Sequence, residues 1–208
     1  MLELYKPKYE DLWFRQLMLE DNDTMSYNHS WGGVIPFPKE IWNDWYDYWI
    51  INNENKRYYR YLKEGNNFIG EVSYHYDNKL DIYTMGIVVY AKYRNQGYGK
   101  AGLDLLCKAA KENGIKYLYD DIAIDNKAIK LFLDNRFIEE HRTSELIYLK
   151  KDLYQTEFEI DKYKVAPVKR SKVRYKSNNL SGEDIDLLRD NRRKKEKVSI
   201  CDTHEDGA

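Results

Sequence analysis

Hydrophobic residues recur at helical spacing over much of the first fifty positions. Residues 2–6 predict a short first strand, and residues 9–19 are expected to be helical. Segment 37–50 predicts a second helix, because Pro38 suits a first helical turn. Its apolar residues at i, i+4, i+7 and i+8 predict one buried stripe, namely Ile41, Trp45, Tyr48 and Trp49.

The pattern then changes to three segments at hairpin spacing, each rich in aliphatic or aromatic residues. They cover residues 57–63, 68–76 and 81–90, and each predicts a strand. Turn-forming residues separate the segments, first at 64–67 and then at 77–79. This order favours an antiparallel meander.

Beyond residue 90, helical and strand patterns alternate. A helix is predicted by four apolar positions, Leu103, Leu106, Cys107 and Ala110. It is expected to end near Asn113 and Gly114, which suit a helix C-cap. A strand is expected at 115–124, a helix at 126–135 and a last strand at 144–153. The order of elements therefore predicts an α/β (α+β) fold.

Composition narrows the class of protein. The 208 residues are 42% hydrophobic and 33% charged, with a net charge of −1, so nothing attracts the whole chain to nucleic acid or membrane. The N-terminus lacks a signal-peptide pattern, no apolar run reaches the ~18 residues of a membrane span, and the two cysteines lie far apart. We therefore expect a cytoplasmic protein. The four histidines share no ligand spacing, so no metal site is predicted.

Charge divides the chain near Leu153. We expect one domain at residues 1–153, followed by a basic connector and polar tail at 154–208. Residues 162–176 hold seven cations and no acid, which is typical of a solvated linker; contact with RNA or another acidic partner is the alternative. A short helix is predicted at 182–196, after the N-cap candidate Ser181. The sequence leaves the oligomeric state open and is compatible with a homodimer.

A glycine-rich loop at residues 90–102 carries the clearest chemical signal. It follows the apolar run 86–89 and precedes the predicted helix. Glycine lets the backbone approach a ligand closely, and a helix start directs free N–H groups and a positive dipole end at it. An anion is therefore expected, with direct phosphate contacts from the flanking Arg94 and Lys100.

Two common nucleotide-binding motifs are poor explanations of this loop. Residues 97–102 spell the dinucleotide-binding pattern G-x-G-x-x-G, with Asp120 or Asp121 about twenty residues further on. That motif opens a doubly wound sheet, however, whereas here several strands precede the loop and only about two follow. A P-loop is excluded, because Arg94 occupies its first glycine position and Ala101 follows Lys100.

The loop resembles the signature of the GCN5-related N-acetyltransferase (GNAT) superfamily. Arg94, Gly97 and Gly99 match its [R/Q]-x-x-G-x-[G/A] pattern between a strand and a helix, and the resemblance covers most of residues 1–153. It implies the acyl-CoA N-acyltransferase fold, with a mixed, mostly antiparallel sheet of about six to seven strands flanked by helices. It also implies transfer of the acetyl group of acetyl-CoA to a primary amine of a small molecule or protein.

The resemblance assigns the donor site to two backbone segments. The family's fourth strand carries a bulge and splays from the fifth, which makes Ile87, Val88 and Val89 the expected partners of the pantetheine arm. The pyrophosphate would be held by loop N–H groups, those of Asn95, Gln96, Gly97, Tyr98, Gly99 and Lys100.

The helix after the fifth strand is a second landmark, with Asn126 and Phe132 at the family's cofactor-contacting positions. Asp125, however, falls in the usual asparagine register, and Arg136 replaces a common glycine, so Asn135 is expected to supply the left-handed cap.

Phe132 stands where a tyrosine commonly protonates the leaving thiolate, and phenylalanine cannot donate a proton. Solvent, Tyr98 or Tyr119 are the candidate donors instead. A non-catalytic acyl-CoA-binding module is the alternative function.

The resemblance also suggests three candidate bases. Asp120 and Asp121 lie on the fifth strand, where only one of two adjacent residues can face the cleft. Asp81 begins the fourth strand, thirteen residues before Arg94. Ordered water could replace a base for an amine that is already neutral.

In this family the region between the first two helices usually contacts the acceptor. Tyr27, His29 and Trp31, followed by two glycines, suggest a mobile aromatic lip. Aromatic faces can hold a cation, and nearby acids could attract one, namely Asp21, Asp23, Asp44 and Asp47. This favours a small or polyamine-like amine, while packing of the aromatics between helices is the alternative reading.

Overall fold

A twisted sheet forms the centre of the protein. The structure, a computed structural model, describes residues 1–53 and 56–155, except for the side chains of Ser30 and Trp31. Its strands are β1 (Leu2–Tyr5), β2 (Arg57–Glu64), β3 (Asn67–Asp77), β4 (Ile82–Val89), β5 (Tyr117–Ala123), β6 (Ile138–Arg142) and β7 (Leu146–Asp152). They lie in the order β1-β2-β3-β4-β5-β7-β6. Only the β4–β5 pair in this sheet is parallel, so the predicted mixed, mostly antiparallel sheet is confirmed.

Helices cover both faces of the sheet. The α-helices are α1 (Leu12–Glu20), α2 (Trp42–Tyr46), α3 (Tyr98–Glu112) and α4 (Ile129–Asp134). Single 3-10 turns occur at Tyr9–Asp11, Lys39–Ile41 and Ala91–Tyr93, a longer 3-10 helix at Thr24–Trp31 and a π-helical turn at Asp47–Ile51. One core packs α3 and α4 on the sheet, and a second, rich in aromatic rings, packs α1 and α2 on the opposite face.

The predicted apolar stripe of the second helix is only partly correct. Trp45 is buried as expected, but Tyr48 is 50% exposed, whereas Trp42 and Ile50 are buried instead. The π-helical turn Asp47–Ile51 explains the burial of Ile50, five residues after Trp45. Its wider turns move the buried face off the 3.6-residue period on which the prediction relied.

Helix α3 closely follows the sequence prediction. Its predicted apolar positions Leu103, Leu106 and Ala110 are buried. Gly102 brings the helix against the sheet, since an added Cβ would lie 2.5 Å from the Leu62 Cδ1 atom. Asn113 is the C-cap of the helix, and Gly114 follows with a φ of 78°.

Strand β6 had no sequence prediction. Its five residues are all exposed and mostly polar, so they lack the alternating pattern of a half-buried strand. It is an edge strand, held by antiparallel pairing with β7.

Residues Met1–Tyr154 form one compact unit. The predicted connector at 162–176 and the predicted helix at 182–196 lie outside the described residues. No helix among the described ranges is long and apolar enough to cross a membrane.

Candidate active site

Strands β4 and β5 share a single register pair before they separate. Their only register pair is Thr84 with Tyr119, whereas β4 pairs with β3 along its whole length, from Ile82 to Val89. A strand directs the backbone groups of successive residues to alternate neighbours. Some groups of Ile87–Val89 therefore face the gap. The splay expected for this fold is present, but the expected bulge is not, because the β3–β4 register runs without a shift.

Gly70 shapes the same end of β4 and was missed by the sequence analysis. It pairs with Val89, and a Cβ added to it would lie 2.3 Å from the Val88 carbonyl oxygen. Only glycine permits this approach of the two strands. An isolated glycine inside a strand pattern was the available signal.

The glycine loop leads from β4 into α3 through two left-handed residues, Asn95 (φ 60°) and Gly97 (φ 84°). Within the described part of the chain, none of the six backbone N–H groups from Asn95 to Lys100 donates to a protein acceptor. The first intrahelical bond here runs from the Ala101 N–H to the Gly97 carbonyl, 3.1 Å away. The N-cap residue Gly97 has no side chain that could accept from the first turn. The helix start thus offers donors and a positive dipole end to an anion.

The Arg94 side chain is engaged with protein acceptors. Its Nη1 lies 2.9 Å from the Asp23 carbonyl oxygen, its Nη2 2.5 Å from the Thr24 carbonyl oxygen and its Nε 3.2 Å from the Val89 carbonyl oxygen. Its backbone N–H donates to the Ala91 carbonyl oxygen. The expected direct contact of this guanidinium with phosphate would require these bonds to break.

Other loop side chains also have protein partners. The Lys100 ammonium pairs with Asp104 at 2.7 Å, one turn further along α3. The Tyr98 hydroxyl donates to Glu64 at 2.5 Å, and this hydrogen bond raises the pKa of Tyr98. Gln96 donates through its side chain to the Lys92 carbonyl oxygen. What the loop offers a ligand is therefore mainly its backbone.

The two acids of β5 point to opposite faces of the sheet. Asp120 lies between Leu118 and Ile122, which belong to the core under α3. Its Oδ1 accepts from the Asp121 backbone N–H at 3.0 Å. Asp121 shares the other face with Tyr119 and pairs with Tyr148 on β7. Both acids lie within two residues of the point where β4 and β5 part.

Asp81 lies away from this cleft. It occupies the turn before β4 with a φ of 56°, and its carboxylate accepts from the Tyr76 hydroxyl. Ile82, the first residue of β4, is already five residues from Ile87, about 16 Å at the rise of a strand. Asp81 thus lies on the other side of the Thr84–Tyr119 register pair from Ile87–Val89.

Helix α4 corrects the expected position of the left-handed cap. Phe132 is buried, and its ring packs edge-on against Phe137 at 5.1 Å between centroids, so it is a core residue. The left-handed residue after the helix is Arg136 (φ 67°), not Asn135, whose φ is −96°. Asn126 caps the turn before the helix, because its Oδ1 accepts from the Ala128 N–H at 2.9 Å.

The expected aromatic lip is the 3-10 helix Thr24–Trp31, which we call the bridging helix. At one end its residues accept from Arg94, and at the other His29 Nε2 lies 3.1 Å from Asp125 Oδ2, just after β5. Tyr27 packs against the aromatic core. The side chain of Trp31 lies outside the described parts of the chain.

Thr24 had no local signal in the sequence. It is fully buried, and its Oγ1 accepts from the Ala91 N–H, 67 positions further along the chain, at 2.9 Å. Its hydroxyl in turn donates to Asp21 Oδ2 at 2.5 Å. A contact between residues this far apart in the sequence is visible only in the folded structure.

Comparison with known proteins was made on both sequence and structure. The model of the Acetyltransferase (GNAT) family matches residues 3–135. No curated protein sequence matches the chain at a significant level.

Many solved structures share the fold. The spermidine N-acetyltransferase from Vibrio cholerae, in complex with CoA and spermine, is 17% identical with a TM-score of 0.60, over 73% of this chain and 95% of that one. An N-acetyltransferase from Staphylococcus aureus Mu50 is 19% identical with a TM-score of 0.60, over 74% and 99%. A Salmonella typhimurium structure with its cofactor acetyl-CoA is 14% identical with a TM-score of 0.58, over 75% and 96%.

Proposed function

The chain belongs to the acetyltransferase (GNAT) family, and we propose that it transfers the acetyl group of acetyl-CoA to a primary amine of a small molecule or protein. One observation carries the proposal. Six consecutive backbone N–H groups, from Asn95 to Lys100, have no protein acceptor among the described residues and open the helix beside the splayed strands.

These amides fit the pyrophosphate of acetyl-CoA. Unpaired N–H groups at a helix start are strong donors to phosphate oxygens, and the helix dipole adds to the attraction. Fold neighbours crystallised with CoA or acetyl-CoA support the same ligand. Gly97 and Gly99 keep side chains away from this surface, and Gly97 adopts a φ of 84° that other residues avoid.

The edge of β4 would receive the pantetheine arm. Backbone groups of Ile87–Val89 that face the gap lack a β5 partner, because the strands pair only at Thr84 and Tyr119. The Val89 carbonyl already accepts from Arg94, so Ile87 is the stronger candidate for a hydrogen bond with the arm. When bound, acetyl-CoA supplies a thioester carbonyl that is open to attack by an amine.

Asp121 is the proposed general base. It lies on the sheet face opposite α3, the face that also packs the bridging helix through Met25. An acceptor amine approaching from this side would meet the Asp121 carboxylate, which could take its proton. Asp120 points to the α3 side, so we propose that it only stabilises the Asp121 backbone, by accepting a hydrogen bond from its N–H.

Tyr119 is the proposed proton donor to the departing thiolate. It belongs to the single β4–β5 register pair and shares a face with Asp121. Tyr98 is the weaker candidate, because its hydroxyl donates to Glu64 and its pKa is raised by that bond. Phe132 is buried in the core and cannot serve.

The acceptor is proposed to be a small or polyamine-like cation. Tyr27 and His29 lie on the bridging helix, and Asp125 at the end of β5 adds a carboxylate to this side of the cleft. The similarity to a Vibrio cholerae enzyme crystallised with spermine supports this choice. A protein amine is the alternative acceptor.

The test is turnover with a panel of amines. The full chain is incubated with acetyl-CoA and spermidine, spermine or a lysine peptide, and release of the CoA thiol is measured together with the mass of the acetylated product. Asp121→Asn is expected to lower kcat about 10²- to 10⁴-fold, and the matched Asp120→Asn far less.

No turnover across the panel, together with tight acetyl-CoA binding, would contradict the proposal. That outcome would favour a non-catalytic acyl-CoA-binding module, for which Phe132 in the place of a tyrosine is the supporting observation.

A further inference from the structure

We infer that the Arg94 side chain is a positioning residue that holds the bridging helix against the end of β4, rather than a phosphate ligand. The inference rests on the proposed function, since it assigns the two sides of the cleft to donor and acceptor. The inference concerns how these two sides are held at a fixed distance from each other.

The hydrogen bonds of Arg94 join two parts of the chain that are about seventy residues apart. On one side its Nε binds the Val89 carbonyl oxygen at the last residue of β4. On the other, its two terminal nitrogens bind the carbonyl oxygens of Asp23 and Thr24 at 2.9 and 2.5 Å, where the bridging helix begins. A planar guanidinium presents donors in a fixed fork, so the three bonds fix both distance and orientation.

A second connection runs parallel to the first. The buried Thr24 hydroxyl accepts from the Ala91 N–H, two residues beyond β4, and donates to Asp21 at the end of α1. The Asp21 carboxylate also accepts from the Thr24 N–H at 2.8 Å. The start of the bridging helix is therefore held by both a side chain and a backbone group of the β4–α3 connection.

The other end of the bridging helix is held more weakly. His29 and Asp125 lie 3.1 Å apart, but their side chains are 55% and 61% exposed. An exposed pair of this kind contributes little stability. Apart from the packing of Met25 and Tyr27 on the aromatic core, the position of the bridging helix relative to β4 therefore depends on Arg94 and Thr24.

The two roles of Arg94 predict different results. If Arg94 binds phosphate, removing its side chain weakens acetyl-CoA binding directly. If Arg94 instead positions the bridging helix, removing its side chain releases that helix. The KM for the amine then rises, and the binding of acetyl-CoA stays nearly unchanged. Lysine cannot replace the fork, so Arg94→Lys should behave like Arg94→Gln.

The experiment combines hydrogen exchange with calorimetry on the full chain. Two backbone amides report on the bridging helix, that of Met25, bonded to the Asp21 carbonyl, and that of Gly33, bonded to the Asn28 carbonyl. In Arg94→Gln and Thr24→Val their exchange should rise at least about tenfold, while Thr24→Ser, which keeps the hydroxyl, should exchange like wild type. The acetyl-CoA Kd should stay within about threefold of wild type. For any amine that turns over, KM for the amine should rise and KM for acetyl-CoA should not.

Unchanged exchange in both Arg94→Gln and Thr24→Val would overturn the inference. So would an acetyl-CoA Kd raised more than about tenfold in Arg94→Gln with unchanged exchange, as a phosphate ligand requires. A wild-type chain that fails to bind acetyl-CoA would refute the proposed function instead, and the exchange comparison would still decide whether Arg94 holds the bridging helix.

Discussion

The Arg15 guanidinium and the Glu71 carboxylate lie 2.5 Å apart in the aromatic core on the face of the sheet opposite α3. The Tyr59 hydroxyl donates to the second carboxylate oxygen of Glu71. Glu71 pairs in register with Val88, so this buried ion pair lies on the strand next to the proposed pantetheine edge. The Arg15 guanidinium carbon is also 4.6 Å from the centroid of the Trp45 ring.

Removing one charge of this pair should destabilise the protein strongly. Glu71→Gln leaves the Arg15 charge buried without a partner, and we expect a loss of about 3–5 kcal/mol in the free energy of unfolding. Adding Arg15→Met to that variant removes the unpaired charge and should recover part of the loss. Urea denaturation of the two variants measures both effects, and a double variant less stable than Glu71→Gln would contradict this account.

Stability should also fall in alkaline solution. Burial and the nearby Glu71 charge raise the pKa of Tyr59 and of Tyr61, and burial raises that of Tyr5 to about 12. Above the ordinary tyrosine pKa of about 10 the unfolded chain releases protons that the folded chain keeps, so the buried Tyr59 and Tyr61 each cost about 1.4 kcal/mol per pH unit. Below that pH the groups contribute no slope.

Denaturation at pH 8 and at pH 11 measures the slope. Tyr59→Phe should flatten it, because one retained proton is lost from the folded state. A free energy of unfolding that is equal at the two pH values would show that these tyrosines ionise as freely in the folded chain as in the unfolded one.

Local features of the sequence were sufficient to predict most of the fold. The glycine loop, the apolar face of α3 and the β2–β4 meander depend on residues close together in the chain, and each was identified. Strand β6 was missed because edge pairing with β7 needs no apolar alternation.

The role of individual site residues could not be predicted in the same way. Arg94 was expected at a phosphate because the motif is local, whereas its observed partners Asp23 and Thr24 lie about seventy residues earlier in the chain. Asp81 matched a sequence offset, but it lies in the turn before β4, whereas Ile87–Val89 lie at the other end of that strand. Such contacts depend on how distant segments pack, which residue spacing does not encode.

The end of helix α4 gives a prediction about stability. Arg136 adopts a φ of 67°, and the Phe137 N–H bonds back to the Phe132 carbonyl oxygen at 3.1 Å, as in a Schellman cap. A left-handed conformation costs a non-glycine residue about 1–2 kcal/mol. Glycine avoids this cost, but it loses more conformational entropy on folding, which cancels part of the gain. Arg136→Gly should therefore raise the free energy of unfolding by about 0.5–1 kcal/mol.

Arg136→Ala is the matched control, because alanine removes the side chain but keeps the strained backbone. It should be no more stable than wild type in the same denaturation assay. Equal stabilisation by glycine and alanine would mean that the arginine side chain, and not its backbone, is the source of the cost.

The two ends of α3 provide a matched pair for the central claim. Gly97 and Gly114 have φ values of 84° and 78°, and a Cβ at either position meets no atom within 4 Å. A substitution by glutamate thus imposes similar strain at both ends. Only at Gly97, however, does it bring a carboxylate to the free amides of the helix start.

The most direct test is acetyl-CoA binding, followed as the rise in melting temperature and as a calorimetric Kd. Ligand at a hundredfold excess over Kd should stabilise wild type and Gly114→Glu by about 2.7 kcal/mol, a rise of several degrees. Gly97→Glu should show no rise and no measurable heat of binding. Binding to Gly97→Glu with the affinity of wild type would contradict the claim that the amides of residues 95–100 hold the pyrophosphate of acetyl-CoA.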